Sequence, residues 1–370
     1  MTQALNNGRP TPQRILFVLM GSIGDVIRAL PLLGRVRHAW PDAHIAWAVE
    51  PKSKPMLEGH PWLDQLIVYD RARAPIAFPL FLRDVRAGKF DLVLDLQRHL
   101  KSGIAALASG AGDRIGFARE NTKELNHLFS TQWIEPQPRM KLKLMQYQAF
   151  ADALSIPPRP IEFGFHLPDD ERLRAEAMLD GAPRPLLGVI LGSSWPSRIY
   201  FPVQIAVVLR ELQNPGGAKP PMYPVLLGGP EEVEIAAEVA RLASDVPMLN
   251  LAGKTRLRDL LAIFPKCAAA FGPDSGPMHI AAAVGCPVVS LWGSTAPERS
   301  APWGFDNLVL RGEIPCHPCY LRRCPIGREC MRRIAPSAVV AAIESALRTA
   351  EAGAGDTPAP ASAAVVSSIG

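Results

Sequence analysis

Short apolar runs alternate with segments of helix length along the first half of the chain. The apolar runs at Arg14–Met20, Ile45–Val49, Leu66–Tyr69 and Phe90–Leu96 predict four strands. The first strand is followed by a predicted helix from about Val26 to Ala39. Strands separated by helices are typical of right-handed βαβ units and a parallel sheet.

The same alternation begins again in the second half of the chain. Its apolar runs predict strands at Leu186–Leu191, Pro224–Leu227, Met248–Leu251, Cys267–Phe271 and Pro287–Leu291, the last clear strand. Helices are predicted at Asp169–Asp180, Glu231–Ala243, Leu257–Phe264 and Ala335–Thr349. A second full set of strands, glycine turns and helices predicts a second α/β domain.

A proline-rich segment, Ile156–Pro160, predicts a stiff connection between the two halves, and we place the hinge near residues 160–185. The resulting domains are residues 1–170, residues 171–335 and a C-terminal helix at 336–350. Residues 351–370 are rich in Ala, Gly, Pro and Ser without periodicity, which predicts a disordered tail.

The composition and net charge of the chain limit the classes of protein to which it can belong. The chain has 370 residues, 48% hydrophobic and 20% charged, which describes an ordinary soluble globular protein. A net charge of +5 is too mild to indicate nucleic-acid binding, and it suits an anionic small substrate or an anionic membrane surface.

No apolar run reaches the roughly 18 residues of a membrane span. The run Ile15–Ile23 follows Arg9 and Arg14, as in a signal peptide, but it is short and no small-residue cleavage site follows. We therefore interpret it as a buried strand and expect a cytoplasmic protein.

The segment Phe271–His279 is the most informative part of the sequence. We expect the residues from Gly272 to Pro277 to form a turn outside both flanking elements, at the carboxyl end of a strand. In an open α/β sheet that edge binds ligands, and the following helix directs backbone N–H groups toward a phosphate. The set Asp274, Ser275, Gly276, Pro277 and His279 therefore predicts a nucleotide-linked ligand.

A second turn, Gly21–Asp25, follows the first strand. It lacks the second and third glycines of the dinucleotide-binding fingerprint. Asp25 lies at the mouth of that strand, where a carboxylate either caps the helix or acts in a ligand site.

The motifs in their order along the chain resemble glycosyltransferase family 9, the heptosyltransferases of lipopolysaccharide core synthesis. The resemblance covers about residues 14–350 and rests on Leu19–Pro31, Asp91–Gln97, Arg114–Phe117, Gly228–Glu232 and Gly272–His279. It implies a GT-B fold, in which two doubly wound Rossmann-like domains face each other across a cleft. The first domain would bind the acceptor and the second the nucleotide sugar.

The resemblance also implies a reaction. It is an inverting, metal-independent transfer of a heptose-type sugar from a nucleotide-diphosphate sugar, ADP-heptose being the expected donor, to a lipopolysaccharide-core or lipid-linked acceptor. No cofactor is required, and a peripheral contact with the inner face of the cytoplasmic membrane is compatible with such an acceptor.

Site residues follow from the matched positions. Asp25 matches the general base, whose carboxylate accepts the proton of the acceptor hydroxyl. The amides near Ser275 and Gly276 would hold the diphosphate, and Asp274 would meet sugar hydroxyls. His279 either donates to phosphate or is a buried histidine bonded to backbone.

Further donor-side positions carry two interpretations each. One of Glu231 and Glu232 would bind ribose hydroxyls, the alternative being an acidic first helix turn. The family usually has a lysine where this chain has Arg198, which can still neutralise the leaving diphosphate. Ser193 and Ser194 would hydrogen-bond phosphate or cap the turn.

The acceptor side of the site is expected in the first domain. Position alone suggests that residues after the first and fourth strands line it, namely Ser22, Gly24, Gln97, His99 and Lys101.

Four of the six cysteines form a cluster, Cys316, Cys319, Cys324 and Cys330, with the spacing C-x2-C-x4-C-x5-C. The cluster fits a structural zinc site, reduced thiols or facultative disulfides. The arginines around it suit acceptor phosphates or anionic headgroups, or simply a solvated loop.

Two other functions compete with glycosyl transfer. A nicotinamide oxidoreductase would use the same kind of domain, but the missing glycine fingerprint argues against it. A nucleotide-sugar-binding protein without catalysis is compatible with arginine in place of the lysine.

Overall fold

The computed structural model describes residues 10–213 and 221–353, with side chains through Arg348. The chain divides into two compact units. The first contains the described residues up to Glu171 together with Glu298–Ser300, and the second contains Arg172–Pro297 and the residues from Ala301 onward. Residues 351–353 continue the last helix, so the disorder predicted for them is wrong. The rest of the predicted tail, from residue 354 on, lies outside the described residues.

The first unit is built on a parallel sheet with the order β3-β2-β1-β4-β5-β6. Its strands are β1 (Arg14–Val18), β2 (His44–Val49), β3 (Gln65–Val68), β4 (Leu92–Asp95), β5 (Asp113–Gly116) and β6 (Gln132–Trp133). Its α-helices are α1 (Ile23–Ala39), α2 (Ala74–Ala87), α3 (Leu100–Ser109) and α4 (Lys143–Ala153). The order reverses between β1 and β4, so the loops after these two strands are neighbours at a topological switch point.

The second unit repeats this topology with the order β12-β11-β10-β7-β8-β9, again all parallel. Helix α5 (Asp169–Ala177) leads into it. Its strands are β7 (Leu186–Ile190), β8 (Tyr223–Leu227), β9 (Leu249–Asn250), β10 (Cys267–Pro273), β11 (Val288–Trp292) and β12 (Val309–Arg311). Its helices are α6 (Pro202–Glu211), α7 (Val233–Leu242), α8 (Leu260–Ile263), α9 (Gly276–Ala283), α11 (Glu329–Arg332) and α12 (Pro336–Gly353). The short helix α10 (Pro297–Ser300) belongs, from Glu298 on, to the first unit. In the second unit the switch point lies between β7 and β10.

Burial of the central strands holds each unit together. The residues Ile15–Val18 of β1 are fully buried, as are most residues of β7 and β10. Such strands read as continuous apolar runs because helices cover both faces of the sheet. In the second unit, α12 packs against α6, β10 and β11 and buries Val339 and Ile343.

The nine predicted strands are confirmed, with ends that differ by one or two residues. Three short strands were not predicted: β5, β6 and β12 contain two to four residues and lie at or next to a sheet edge. These three strands are too short and contain too few apolar residues to form a run like those from which the others were predicted.

The long turn predicted from Gly272 to Pro277 is wrong. Strand β10 continues through Gly272 and Pro273, and α9 begins at Gly276, so only Asp274 and Ser275 separate them. A side chain at Gly272 would place its Cβ 2.5 Å from the Cβ of Ile190 in β7, so glycine permits the close approach of the two strands. Pro277 is tolerated because it lies in the first helical turn, where its missing N–H costs no helical hydrogen bond.

Among the described residues, no helix has both the length and the apolar composition needed to cross a membrane.

Candidate functional site

Asp25 lies in the first turn of α1, directly after β1. Ser22 is the N-cap: its hydroxyl accepts a hydrogen bond from the Asp25 amide at 3.3 Å and donates one to Asp25 Oδ2 at 2.9 Å. Ser22 therefore has the capping role that the sequence allowed for Asp25, which occupies the third helical position.

Two cations hold the other oxygen of the Asp25 carboxylate. Lys143 Nζ lies 2.6 Å from Oδ1, and Arg28 Nη2 lies 2.7 Å from the same atom. The Asp25 side chain is 19% exposed. Burial alone would raise the pKa of Asp25, but the charges of Lys143 and Arg28 outweigh it and hold that pKa well below its ordinary value. The carboxylate is therefore ionised throughout the neutral range.

Sequence reasoning missed both cations. Arg28 follows Asp25 by one helical turn, a spacing that brings the two side chains to one face and was visible in the sequence. Lys143 lies far along the chain at the start of α4, and only the packing of α4 against α1 brings it to Asp25.

The predicted acceptor residues lie at the same sheet edge but already have partners. Gln97 clamps the end of β1, since its Oε1 accepts from the Met20 amide at 3.1 Å and its Nε2 donates to the Met20 carbonyl at 3.3 Å. Ser22 is exposed at the helix start, and Gly24 is buried within α1.

The other two predicted acceptor residues each contact a carboxylate. His99 Nδ1 lies 3.2 Å from Glu124 Oε1, and Lys101 Nζ lies 2.8 Å from Glu50 Oε1. The charge of Lys101 is therefore partly neutralised within the first unit.

Asp95, at the end of β4, is a buried carboxyl that the sequence did not single out. It accepts hydrogen bonds from Asn126 Nδ2 at 2.8 Å, Ser102 Oγ at 3.1 Å and the Gln97 amide at 3.0 Å. Burial raises its pKa to about 7 despite these donors. Asp95 therefore organises the loop that carries Gln97 and His99.

In the second unit, Asp274 and Arg198 form a buried ion pair. Arg198 Nη1 lies 3.0 Å from Asp274 Oδ2, with side-chain exposures of 15% and 9%. Thr295 Oγ1 donates to the same oxygen at 2.7 Å. The Arg198 guanidinium also stacks on Trp195, 4.1 Å from the ring centroid. Thr295 was not predicted, although its position shortly after β11 at the ligand-binding edge was a usable signal.

Helix α9 begins directly after Asp274. Ser275 is its N-cap and is 8% exposed, and the Ser275 hydroxyl has no hydrogen-bond partner among the described residues. Buried polar groups are nearly always satisfied, so this hydroxyl and the helix N-terminus form a place for an acceptor group such as a phosphate oxygen. Gly276 and Pro277 form the first turn, and His279 is 4% exposed, as the interpretation as a buried histidine expects.

The serines after β7 differ in their roles. Ser193 Oγ donates to the Asp274 carbonyl at 2.7 Å and so ties the two loops of the switch point together. Ser194 is exposed.

The structure also separates the two candidate glutamates. Glu231 is exposed, whereas Glu232 folds over the ends of β7 and β8. Glu232 Oε2 accepts a hydrogen bond from the Gly229 amide at 2.7 Å, and a Cβ at Gly192 would lie 2.1 Å from Oε1. Of the two, only Glu232 thus lies against the strand ends.

The four clustered cysteines differ in their exposure. Cys316 is exposed and Cys330 is buried, with its sulfur so near Gly293 that a Cβ there would lie 2.9 Å away. Among the described residues, no group of three or more His, Cys, Asp or Glu side chains is arranged to hold a metal ion. The other three cysteines of the cluster nevertheless interact electrostatically with Cys330, and the structural zinc site stays a prediction. All six cysteines are free thiols.

Part of the basic patch around the cysteines packs on the protein itself. Arg328 and Arg332 both lie over the ring of Phe201, at 4.2 and 4.9 Å from its centroid.

Known proteins match this chain over most of its length. The family model for glycosyltransferase family 9 (heptosyltransferase) matches residues 80–329, more than half of the chain and including Arg198 and Asp274 but not Asp25. The lipopolysaccharide core heptosyltransferase OpsX of Haemophilus influenzae is 26% identical over 80% of this chain and 84% of its own length. Lipopolysaccharide heptosyltransferase 1 of Pseudomonas aeruginosa is 28% identical over 84% of this chain and 87% of its own.

A solved structure shows the fold. The E. coli ADP-heptose lps heptosyltransferase II superposes with a TM-score of 0.71 at 20% identity, covering 91% of this chain and 99% of that one. Each of the two parallel sheets of this chain has Rossmann-like topology, so the fold is of the GT-B type. The chain therefore belongs to glycosyltransferase family 9, the heptosyltransferases, and is a glycosyltransferase.

Proposed function

We propose that this glycosyltransferase moves a heptose from ADP-heptose to a lipopolysaccharide-core acceptor, with inversion at the anomeric carbon and Asp25 as general base. The observation that carries the proposal is the Asp25 carboxylate, held ionised at the ligand-binding edge of the first unit. The named activities of the H. influenzae, P. aeruginosa and E. coli relatives support the choice of sugar, donor and acceptor.

The second unit supplies the donor contacts in this proposal. The amides and hydroxyl at the start of α9, contributed by Ser275 and Gly276, bind the diphosphate, with His279 in the following turn. Asp274 accepts hydrogen bonds from sugar hydroxyls, and Glu232 from the ribose.

The reaction follows from these assignments. Asp25 accepts the proton of the acceptor hydroxyl as that oxygen attacks the anomeric carbon, and the bond from this carbon to the diphosphate breaks. ADP leaves with the electron pair of that bond. The positive charge of Arg198 and the N-terminal end of α9 stabilise the developing negative charge on the leaving group.

The test compares transfer by the wild type with transfer by Asp25→Ala and Asp25→Asn, using ADP-heptose and a purified lipopolysaccharide-core acceptor. Loss of a positioned general base is expected to lower kcat by roughly 10²–10⁴-fold. The matched control is Asp84→Asn, at an exposed carboxylate of α2 that pairs with the adjacent Arg83. Circular dichroism checks that all variants are folded.

Three outcomes separate the parts of this proposal. Undiminished turnover in both Asp25 variants rules out the base assignment. Binding of ADP-heptose by the wild type without transfer indicates a nucleotide-sugar-binding protein instead. The anomeric configuration of the product, determined by NMR, decides between inversion and retention.

A further inference from the structure

The contacts of Asp25 are distributed unevenly between its two oxygens. Oδ1 receives both cations, Lys143 and Arg28, at 2.6 and 2.7 Å. Oδ2 receives the neutral hydroxyl of Ser22 at 2.9 Å. Each carboxylate oxygen has about two lone-pair sites, so Oδ1 is saturated and Oδ2 retains acceptor capacity.

Gly21 lies beside Oδ2. A Cβ at that position would lie 3.5 Å from Oδ2 and 3.3 Å from Asp25 Cβ. Glycine therefore keeps a methyl group out of contact with the oxygen that still has acceptor capacity.

Lys143 is held in place by a buried framework. It is the first residue of α4, and α4 packs along α1. Arg35 of α1 fixes that packing, since its guanidinium donates to Gln148 Oε1 at 3.0 Å and to Asp152 Oδ1 at 2.9 Å. The ammonium group of Lys143 is thus delivered to Asp25 by packed helices and not by a flexible loop.

Cations predominate among the charged groups around this carboxylate. The titratable and charged groups whose electrostatic interactions reach Asp25, directly or through its partners, are Arg28, Arg98, Lys143, Tyr147 and Arg299, the last from the segment 298–300 of the same unit. Only Arg28 and Lys143 are in direct contact with it. Removing Lys143 therefore leaves one cation instead of two in direct contact with this largely buried carboxylate.

We propose that Lys143 is a positioning residue for this base: together with Arg28 it anchors Oδ1, so that Oδ2 is the oxygen that receives the acceptor's proton. The inference rests on the proposed function, because it assigns the atom through which Asp25 acts. It also explains why a general base is engaged by two cations in the absence of substrate: they bind the oxygen that is not used.

The experiment compares Lys143→Met, Lys143→Arg and the control Lys141→Met. Lys141 lies two residues earlier, is also half-buried, and its Nζ donates to Gln137 Oε1 at 2.9 Å. In Lys143→Met we expect kcat to fall by up to about 100-fold, the cost of a catalytic group displaced by ~1 Å, with the KM for ADP-heptose unchanged. Lys143→Arg is expected to restore part of the rate, and Lys141→Met to behave as the wild type.

The pH profile distinguishes positioning from a merely structural role. Without the charge of Lys143, less opposes the rise that burial causes in the pKa of Asp25, so Asp25 holds its proton to higher pH. The acidic limb of kcat/KM should therefore move to higher pH in Lys143→Met and stay in place in Lys141→Met. A lysine that only supports the fold would lower the melting temperature and leave this limb unmoved.

A readout that needs no transfer keeps the two proposals separable. Carbon-13 NMR titration of the Asp25 carboxyl, assigned by comparison with Asp25→Asn, should show the same upward shift in Lys143→Met. If the wild type transfers no heptose, the proposed function fails while this titration still decides whether Lys143 controls Asp25. A wild-type kcat in Lys143→Met, or an unmoved Asp25 titration in that variant, would overturn the positioning role.

Discussion

The ion pair between Arg198 and Asp274 allows the role of Arg198 to be tested by stability as well as by activity. Their side chains are 15% and 9% exposed, with Nη1 and Oδ2 3.0 Å apart. In Arg198→Met the Asp274 carboxylate stays buried and keeps the Thr295 hydroxyl as a direct donor. A neutral hydroxyl compensates a buried charge less well than a guanidinium, so the variant should be clearly destabilised.

The size of the effect follows from burial. Removing one partner of a buried ion pair costs about 3–5 kcal/mol, and because Thr295 remains we expect the lower end, about 3 kcal/mol. The double variant Arg198→Met/Asp274→Asn removes both charges, so no unpaired charge of this pair remains buried. Its loss of unfolding free energy should therefore be smaller than the sum of the losses in the two single variants. We expect a coupling free energy of about 2 kcal/mol, which is within the range for contacting residues.

The assay is urea unfolding of the wild type, the two single variants and the double variant, followed by circular dichroism and tryptophan fluorescence. The protein has two compact units, so the transition of the second unit is fitted separately. Additivity of the single variants within ~0.5 kcal/mol would refute the reasoning. Arg198 would then have no stabilising role on Asp274, and its position would be explained by the donor diphosphate alone.

Two further predictions concern buried polar groups in the two units. Because burial raises the pKa of Asp95 to about 7 from an ordinary 3.8, the folded protein holds a proton between these values that the unfolded chain has released. The first unit should therefore lose stability as the pH rises from about 4 to 7, and Asp95→Asn should flatten that slope in urea titrations; equal slopes would contradict the assignment. Because the Ser275 hydroxyl is buried without a described partner, Ser275→Ala should leave the melting temperature unchanged or higher. The same variant should weaken ADP binding by roughly 10- to 150-fold in calorimetry if the hydroxyl binds phosphate, as hydrogen bonds to charged groups contribute ~1.5–3 kcal/mol; unchanged affinity would exclude that contact.

Most of the fold could be predicted from the sequence because the signals are local. A strand buried on both faces is apolar over most of its length, so β1, β7 and β10 are visible in the residues alone. The strands β5, β6 and β12 were not predicted because each has at most four residues, too few for an apolar run of that kind. In the same way, the spacing of the four cysteines does not say that Cys330 turns into the core.

The sequence by itself determined that Asp25 follows β1 and that Asp274 and Ser275 follow β10, at the carboxyl ends of central strands. Only the tertiary structure decided what these groups contact. Lys143 reaches Asp25 from more than one hundred residues away, and Arg198 and Thr295 reach Asp274 from the segments that follow β7 and β11. Local sequence determines secondary-structure propensity and which positions are buried. The contacts of a side chain depend on helix packing and strand order, which bring together residues that no spacing rule relates.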